Sequence, residues 1–190
     1  MAMLSIGQIA NIGFNSVGDN VQISEKASIY GASLIKIGNN VRIDDFCVLA
    51  AGIGGIQIGN YVHIAVGSTL IGAGEIKLDD FSGLSSRVSI YSSSDDYSGQ
   101  TMTNPTVPNA YKNVYSAPVY LGRHVIVGSG SVILPGVRLE EGVAVGALSL
   151  VTTHCDSFGI YTGNPAKRIK ERKRNLLELE MLMRADTQNR

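Results

Sequence analysis

Large aliphatic residues recur at every sixth position through most of this 190-residue chain. Six triples can be aligned, each with an internal spacing of six, and all 18 positions are aliphatic: Val17, Ile23 and Ile29; Ile37, Ile43 and Leu49; Ile58, Ile64 and Leu70; Leu78, Leu84 and Ile90; Leu121, Val127 and Ile133; Leu139, Val145 and Val151. An α-helix cannot keep such a period on one face, because its turn takes about 3.6 residues. Short parallel strands can: three of them close a triangular coil, and successive coils stack at about 4.8 Å.

Two other positions of the six-residue frame fit this interpretation. The fifth residue is small in every complete frame, as at Val41, Cys47 and Ser131, and the second is often glycine, as at Gly38 and Gly122. We expect the large and small positions to point inward, and the glycine-rich position to let the backbone turn the corner. The pattern therefore predicts an all-β fold, a parallel β-helix of about six triangular coils.

The repeat is interrupted once and ends before the C-terminus. Successive coils advance by 20, 21 and 20 residues, then Leu78 to Leu121 takes 43. We expect an excursion loop at about residues 91–118, polar and rich in tyrosine, and such long loops are usually functional. The β-helix domain then covers residues 1–164, and residues 165–190 form a C-terminal helix and tail, with Pro165 near the helix start.

Composition narrows the function. The 16 basic and 16 acidic residues balance, which argues against nucleic acid or an anionic membrane as a partner. Neither a leader segment nor an apolar run of about 18 residues is present, so we expect no membrane insertion and a cytoplasmic protein. Cys47 and Cys155 have no metal-ligand spacing and face inward by their frame positions, so we expect buried thiols and no covalent acyl-cysteine.

The last coils and the segment after them carry a family resemblance. The run from Ile126 to Lys170, with the motif Gly163-Asn164-Pro165-Ala166-Lys167, resembles the C-terminal part of the hexapeptide-repeat acyltransferases. The resemblance covers roughly residues 17–168, and within the family it is similar to the short sugar O- and N-acetyltransferases of surface-polysaccharide pathways. It implies a left-handed β-helix, a homotrimer with active sites between subunits, and acetyl-CoA as the donor.

The resemblance also suggests where CoA would lie. Gly128, Ser129, Gly146 and Ala147 supply low-relief backbone on the last two coils, along which a long thin ligand could run. Phosphates are bound by lysine and arginine, so Lys167 and Arg168, where the stack ends, are suited to the nucleotide end of CoA. We expect no metal.

Acyl transfer calls for a group that takes the proton of the acceptor, and histidine has a suitable pKa. His63 follows the inward residue Val62 and His124 precedes the inward residue Val125, so both should point outward. We expect them on one side of the triangle, two coils apart, beside the point where the loop returns. His154 is expected to be an ordinary surface residue. Many family members carry a loop histidine in a context like S-H-D-Y-S, where this chain has Ser94-Asp95-Asp96-Tyr97-Ser98. The base is then His63, Asp95 or Asp96, or the acceptor is an amine that needs only a hydrogen-bond acceptor.

These observations predict an acetyl-CoA-dependent acetyltransferase, with His63 and Asp95 as catalytic candidates. Asp96, Tyr97 and His124 are candidates for binding the saccharide or nucleotide-sugar acceptor. We expect a sugar hydroxyl as the acceptor, as in O-antigen or other surface-polysaccharide synthesis, with N-acetylation of a nucleotide-linked amino sugar as the alternative. A non-catalytic β-helix scaffold is a lesser alternative. A β-helix carbonic anhydrase would need three histidine ligands, which the spacings of 61 and 30 do not provide.

Overall fold

The computed structural model describes residues 2–188 and consists mainly of short strands wound into a parallel β-helix. The first sheet contains β1 (Ser16–Val17), β4 (Ile35–Ile37), β7 (Ile56–Ile58), β10 (Ile76–Leu78), β15 (Val119–Leu121) and β18 (Arg138–Leu139). The second contains β2 (Gln22–Ile23), β5 (Arg42–Ile43), β8 (His63–Ile64), β11 (Gly83–Leu84), β16 (Ile126–Val127), β19 (Ala144–Val145), β21 (Gly159–Gly163) and β22 (Ala166–Glu171). The third contains β3 (Ser28–Tyr30), β6 (Val48–Ala51), β9 (Thr69–Gly72), β12 (Ser89–Tyr91), β17 (Val132–Ile133) and β20 (Leu150–Val151).

The chain visits the three sheets in turn, so each passage through all three is one triangular coil. Equivalent residues of successive coils pair in register, as Ile43 does with Ile64. Six complete coils are followed by β21, which begins a seventh passage on the second sheet. The all-β prediction and the β-helix are confirmed.

The core is the interior of the triangle. Of the 18 aliphatic positions, only Val17 and Ile29 are not buried, and both belong to the first coil. Helix α1 (Ile6–Ile12) packs its buried Ile9 against this end of the core, and a capping box between Ser5 and Gln8 begins the helix. Cys47 and Cys155 are buried free thiols, as expected. Burial raises the pKa of Cys155 to about 12, so it is not a nucleophile at neutral pH.

The corners work differently from the expectation. The residues with a left-handed backbone are fourth in their frames and need not be glycine: Asn40, Tyr61, Phe81 and His124 have φ between 57° and 60°. The second-position glycines do not have this conformation. A Cβ on Gly38 would lie 2.6 Å from the carbonyl oxygen of Gly59 in the next coil. These glycines are therefore required by close stacking of coils, and not by the turn itself.

The segment after the last coil also differs from the prediction. Residues Ala166–Glu171 form β22, antiparallel to β21, and the cis peptide Asn164–Pro165 links the two strands. Helix α2 (Asn175–Gln188) begins only after this hairpin. It lies along one corner of the stack, where Glu180 contacts Arg123 and His124, and does not cap the end. A predicted helix from Pro165 is thus wrong for its first ten residues.

Candidate functional site

An open groove of about 470 Å³ runs across the middle of the second sheet. Its wall is formed by residues of three successive coils: Tyr61, His63, Ala65, Phe81, Ser82, Gly83, Leu84, Ser85, Ser86, Ile126 and Ser129. Gly83 occupies the outward position at which the previous coil has His63 and the next has Ile126. Because Gly83 has no side chain, it leaves a gap in this column of outward side chains between His63 and Ile126. We call this concavity the second-sheet groove.

His63 stands at one end of the second-sheet groove with half of its side chain exposed, and it is held by a buried carboxylate. Its Nε2 lies 2.9 Å from Oδ2 of Asp44, whose other oxygen accepts a hydrogen bond of 2.7 Å from Nε of Arg42. Burial alone would raise the pKa of Asp44, but the hydrogen bonds from Arg42 and His63 outweigh it, so the pKa lies below its usual value. Asp44 is therefore ionised at neutral pH.

The side chain of His124 is engaged by helix α2. Its Nε2 lies 2.6 Å from Oε2 of Glu180, and only 10% of its side chain is exposed. The ring stacks on Phe81 at 5.0 Å, and Phe81 stacks on Tyr61 at 4.9 Å. His63 and His124 lie two coils apart, because His63 pairs with Gly83 and Gly83 pairs with Ile126 of the coil that carries His124. His124 is, however, a corner residue covered by α2. The prediction that it binds the acceptor is not supported by this position.

Helix α2 fixes the corner beside the second-sheet groove. Glu180 is 8% exposed and accepts hydrogen bonds from Arg123, His124 and Arg184. The guanidinium of Arg184 also lies 5.3 Å from the ring centre of Phe81. Tyr61 and Phe81 therefore form an edge of the groove that is buttressed from outside by α2.

The glycine-rich residues predicted to bind CoA lie in the turns that follow β16 and β19 of the second sheet, next to the second-sheet groove. Ser129 lines it directly, while Gly128 stacks on Gly146 and Ala147 of the following coil. A Cβ on Gly128 would lie 2.5 Å from the backbone nitrogen of Ala147. Ser129 and Ala147 are exposed, so the flat strip that they form continues the groove toward the last coil.

The two basic residues predicted to bind phosphate lie on β22, at the end of the same sheet. Lys167 is exposed and pairs with Thr162 across the hairpin. Arg168 is ion-paired to Glu171. Arg172, just after β22, donates to the carbonyl oxygens of His124 and Gly142 at 2.7 and 3.0 Å. Arg172 thus attaches the C-terminal segment to the coils. Of the two predicted phosphate ligands, Lys167 makes no ion pair within residues 2–188, whereas Arg168 does.

The excursion loop carries its own small sheet, β13 (Ser93–Ser94) and β14 (Tyr115–Ser116). Asp96 accepts hydrogen bonds from the backbone of Ser98 and from both backbone and hydroxyl of Thr101. These bonds lower the pKa of Asp96 to about 2. Asp96 therefore organises the loop, which weakens its predicted role in binding the acceptor.

Asp95 and Tyr97 remain available on the excursion loop. One oxygen of the half-buried Asp95 accepts a long bond of 3.2 Å from the backbone of Asn104. Tyr97 is 92% exposed. Neither side chain is held as firmly as that of Asp96.

Within one chain, the excursion loop and the second-sheet groove lie on opposite sides. The loop leaves β12 of the third sheet and returns to β15 of the first, so it projects from the corner between those sheets. The second sheet forms the wall across from that corner. His63 and Asp95 are therefore not brought together in one chain, contrary to the expectation that the loop returns beside His63.

Two other classes of feature can be compared with residues 2–188. These residues contain no cluster of three or more His, Cys, Asp or Glu arranged to hold a metal ion. None of the helices in this range has the length and apolar character needed to cross a membrane.

Comparison with known proteins gives close relatives. No family model matches. The chain is 55% identical over 184 residues to the dTDP-4-amino-4,6-dideoxy-D-glucose acyltransferase of Escherichia coli, covering 97% of this chain and 96% of the relative. The structure of AntD, an N-acyltransferase from Bacillus cereus in complex with dTDP and 3-hydroxybutyryl-CoA, superposes with a TM-score of 0.95 at 47% identity, covering 99% of this chain and 100% of the other.

Variants of AntD and one more distant protein have also been solved. AntD has also been solved with dTDP and CoA after replacement of one aspartate, and with CoA after replacement of a serine ten residues before it. A maltose O-acetyltransferase from Clostridium difficile 630 has a TM-score of 0.61 at 23% identity, covering 88% of this chain and 75% of the other, and shows a shared fold alone.

Proposed function

Since the chain belongs to the hexapeptide-repeat sugar acyltransferases with a left-handed β-helix, we propose that it transfers an acyl group from coenzyme A to the amino group of a nucleotide-linked amino sugar. The observation that carries the proposal is the 55% identity, across nearly the whole of both chains, to an acyltransferase of dTDP-4-amino-4,6-dideoxy-D-glucose. It favours an amine over the sugar hydroxyl that the sequence alone suggested. A cytoplasmic location remains a prediction.

The second-sheet groove is the place we propose for the reaction. The pantetheine arm of CoA would run along the strip of Gly128, Ser129, Gly146 and Ala147, with Lys167 near its phosphates. The acyl thioester would then reach the part of the groove at Gly83 and Ser85. Gly128, Ser129, Gly146 and Ala147 lie in the turns that leave the second sheet after β16 and β19, and these turns stack on one another, so a ligand can follow them along the stack of coils.

Replacements in AntD support roles for Ser85 and Asp95. This chain has two serine–aspartate pairs separated by ten residues, Ser85 with Asp95 and Ser86 with Asp96. Both serines line the second-sheet groove. Because the carboxylate of Asp96 is used inside the loop, Asp95 is the aspartate free to accept a hydrogen bond from the substrate amine.

The proposed chemistry is direct attack. The neutral amine adds to the thioester carbonyl, the C–N bond forms, and the C–S bond breaks as the CoA thiolate leaves. Asp95 orients the amine, and His63 takes the proton that the nitrogen loses and returns it to the thiolate. A positioned base contributes roughly 10²–10⁴ in rate.

Separation of the loop and the groove in one chain supports a homotrimer in which Asp95 of one copy meets the groove of its neighbour. Mixed trimers test this arrangement. His63→Ala and Asp95→Asn subunits, each inactive alone, are unfolded together and refolded. If random trimers form, a site with both residues intact arises at about one quarter of the interfaces. Activity near that fraction supports the shared site, and complete inactivity of well-folded mixed trimers contradicts it.

The acceptor and donor are tested by following thiol release from acetyl-CoA and 3-hydroxybutyryl-CoA. The acceptors are dTDP-4-amino-4,6-dideoxyglucose, the matching 4-hydroxy sugar nucleotide and a neutral oligosaccharide. We expect release with the amino sugar and none above background with the hydroxy analogue. Equal or better turnover of the hydroxy compounds would return the assignment to O-acylation. Lack of turnover and of CoA binding would favour the scaffold alternative.

A further inference from the structure

We propose that Asp44 is a positioning residue that fixes the tautomer of His63 and leaves the Nδ1 lone pair facing the second-sheet groove. The functional part of this inference rests on the proposed function, because it assumes that His63 takes the proton of the substrate amine. The tautomer itself is a property of the free protein. It can therefore be tested separately from turnover.

The carboxylate of Asp44 is built into the wall. It is 6% exposed, and its backbone nitrogen donates to the carbonyl oxygen of Ile64 in the next coil. One oxygen accepts from Nε of Arg42 and the other lies 2.9 Å from Nε2 of His63. Both oxygens are thus engaged by two side chains that are half exposed at the sheet surface.

These contacts leave one arrangement of hydrogen atoms. An ionised carboxylate only accepts hydrogen bonds, so Nε2 of His63 must carry the hydrogen that points to Asp44. In a neutral imidazole the other nitrogen, Nδ1, then has the lone pair. A ring that accepts protons through Nδ1 is what the proposed reaction requires of His63.

An amide at position 44 should reverse this arrangement. The Nε of Arg42 can only donate, so in Asp44→Asn it takes the amide oxygen and leaves the NH₂ group facing His63. Nε2 must then accept, and the hydrogen moves to Nδ1, where it blocks proton uptake. The substitution is nearly isosteric, so it changes the direction of the hydrogen bonds with little change in packing.

The neighbouring carboxylate provides a matched control. Asp45 lies in the same coil, accepts from Ser24, and pairs with Lys26 at 3.7 Å. It makes no contact with His63 among the hydrogen bonds and ion pairs of residues 2–188. Asp45→Asn therefore removes an equivalent charge from the same coil without reaching the histidine.

The tautomer is read by NMR of ¹⁵N-histidine protein without substrate. Only His63, His124 and His154 contribute signals, and His63→Gln assigns the one of interest. We expect the Nε2–H form of His63 in the wild type and in Asp45→Asn, and the Nδ1–H form in Asp44→Asn. A wild-type His63 with its hydrogen on Nδ1 would overturn the proposal without any variant.

Kinetics test the consequence. Asp44→Asn should lower kcat at least about tenfold and leave the KM for acyl-CoA unchanged, by analogy with the loss of groups that orient a histidine ligand. Asp45→Asn should keep the wild-type kcat and KM. In a His63→Gln background, Asp44→Asn should cause no further loss. Equal losses in both backgrounds would show that Asp44 acts independently of His63 and would contradict the proposal.

Two outcomes keep the inference separate from the proposed function. If no acceptor is acylated but the tautomer reverses as expected, the proposed function fails and the positioning stands. If Asp44→Asn does not fold, the wild-type spectrum still decides the inference: the Nε2–H form supports it and the Nδ1–H form contradicts it.

Discussion

Ser82 places a hydroxyl in the apolar interior of the coil stack, where it has no hydrogen-bond partner within residues 2–188. Its side chain is 2% exposed. The equivalent residues of the preceding and following coils are Val62 and Val125, both buried. We therefore predict that Ser82→Val makes the protein more stable.

The magnitude follows from two opposing terms. An unsatisfied buried hydroxyl costs about 1–3 kcal/mol, and replacing it with methyl groups removes this cost. Extra volume in a packed core costs up to about 1–3 kcal/mol when the surroundings cannot adjust. Because valine already occupies this column one coil away on both sides, we expect little strain and a net gain of about 1–2 kcal/mol.

Ser131 supplies the control, since it is also an inward serine but is fully bonded. Its Oγ donates to the carbonyl oxygen of Gly146 at 2.9 Å and accepts from the nitrogen of Ser149 at 3.2 Å. Ser131→Val loses both bonds and should destabilise by about 1–3 kcal/mol.

The assay is urea unfolding of both variants at equal subunit concentration, because assembly contributes to apparent stability. A shift of the midpoint at constant slope reports a change in the free energy of unfolding. We expect shifts of opposite sign. If both valines destabilise equally, the size of the column position decides the outcome and hydrogen bonding does not, which refutes the reasoning.

Three further predictions concern the strip, the phosphate end and helix α2. Gly128→Ala should lower the free energy of unfolding by about 3 kcal/mol, because the new Cβ would meet backbone atoms of the next coil. Gly7→Ala in α1 should raise it by about 0.5–1 kcal/mol in the same urea assay, because no atom lies within 4 Å of the new Cβ. Lys167→Ala should raise the KM for acyl-CoA several-fold with kcat unchanged. Arg168→Ala should raise it less, because Arg168 is already ion-paired with Glu171. If both variants keep the wild-type KM, neither residue belongs to the site. Burial would raise the pKa of Glu180, but hydrogen bonds from its basic neighbours outweigh this effect and lower the pKa from its usual value of 4.5. The docking of α2 should therefore persist above pH 4.5 and be lost as the pH falls through the lowered pKa. Hydrogen exchange of α2 against pH measures this loss, which should be absent in Glu180→Gln.

The period of six was sufficient to predict the wall, because every coil repeats the same packing problem. It also contained the Asp44–His63 contact, since these residues flank the paired positions Ile43 and Ile64 of adjacent coils. The register alone therefore predicts Asp44 as a polar neighbour of His63 across adjacent coils.

Other features lay outside the repeat. Ala, Lys and Arg after Pro165 favour a helix, but the free edge of β21 recruits this segment as a strand, and such tertiary pairing overrides propensity. The contact between His124 and Glu180 joins residues 56 apart, with no periodicity to predict it. The loop and the groove lie on opposite sides because the insertion occupies the corner between the third and first sheets. The number of inserted residues alone does not show which corner that is.

The insertion of the excursion loop leaves the wall uninterrupted, because Ile76 and Leu78 pair with Val119 and Leu121 as if the intervening residues were absent. Loop-closure entropy rises only slowly with loop length. The loop can therefore be exchanged, in evolution or by grafting, while the coils keep their register. Under the proposed function, such an exchange would change the sugar that is accepted and leave in place the residues proposed to bind CoA.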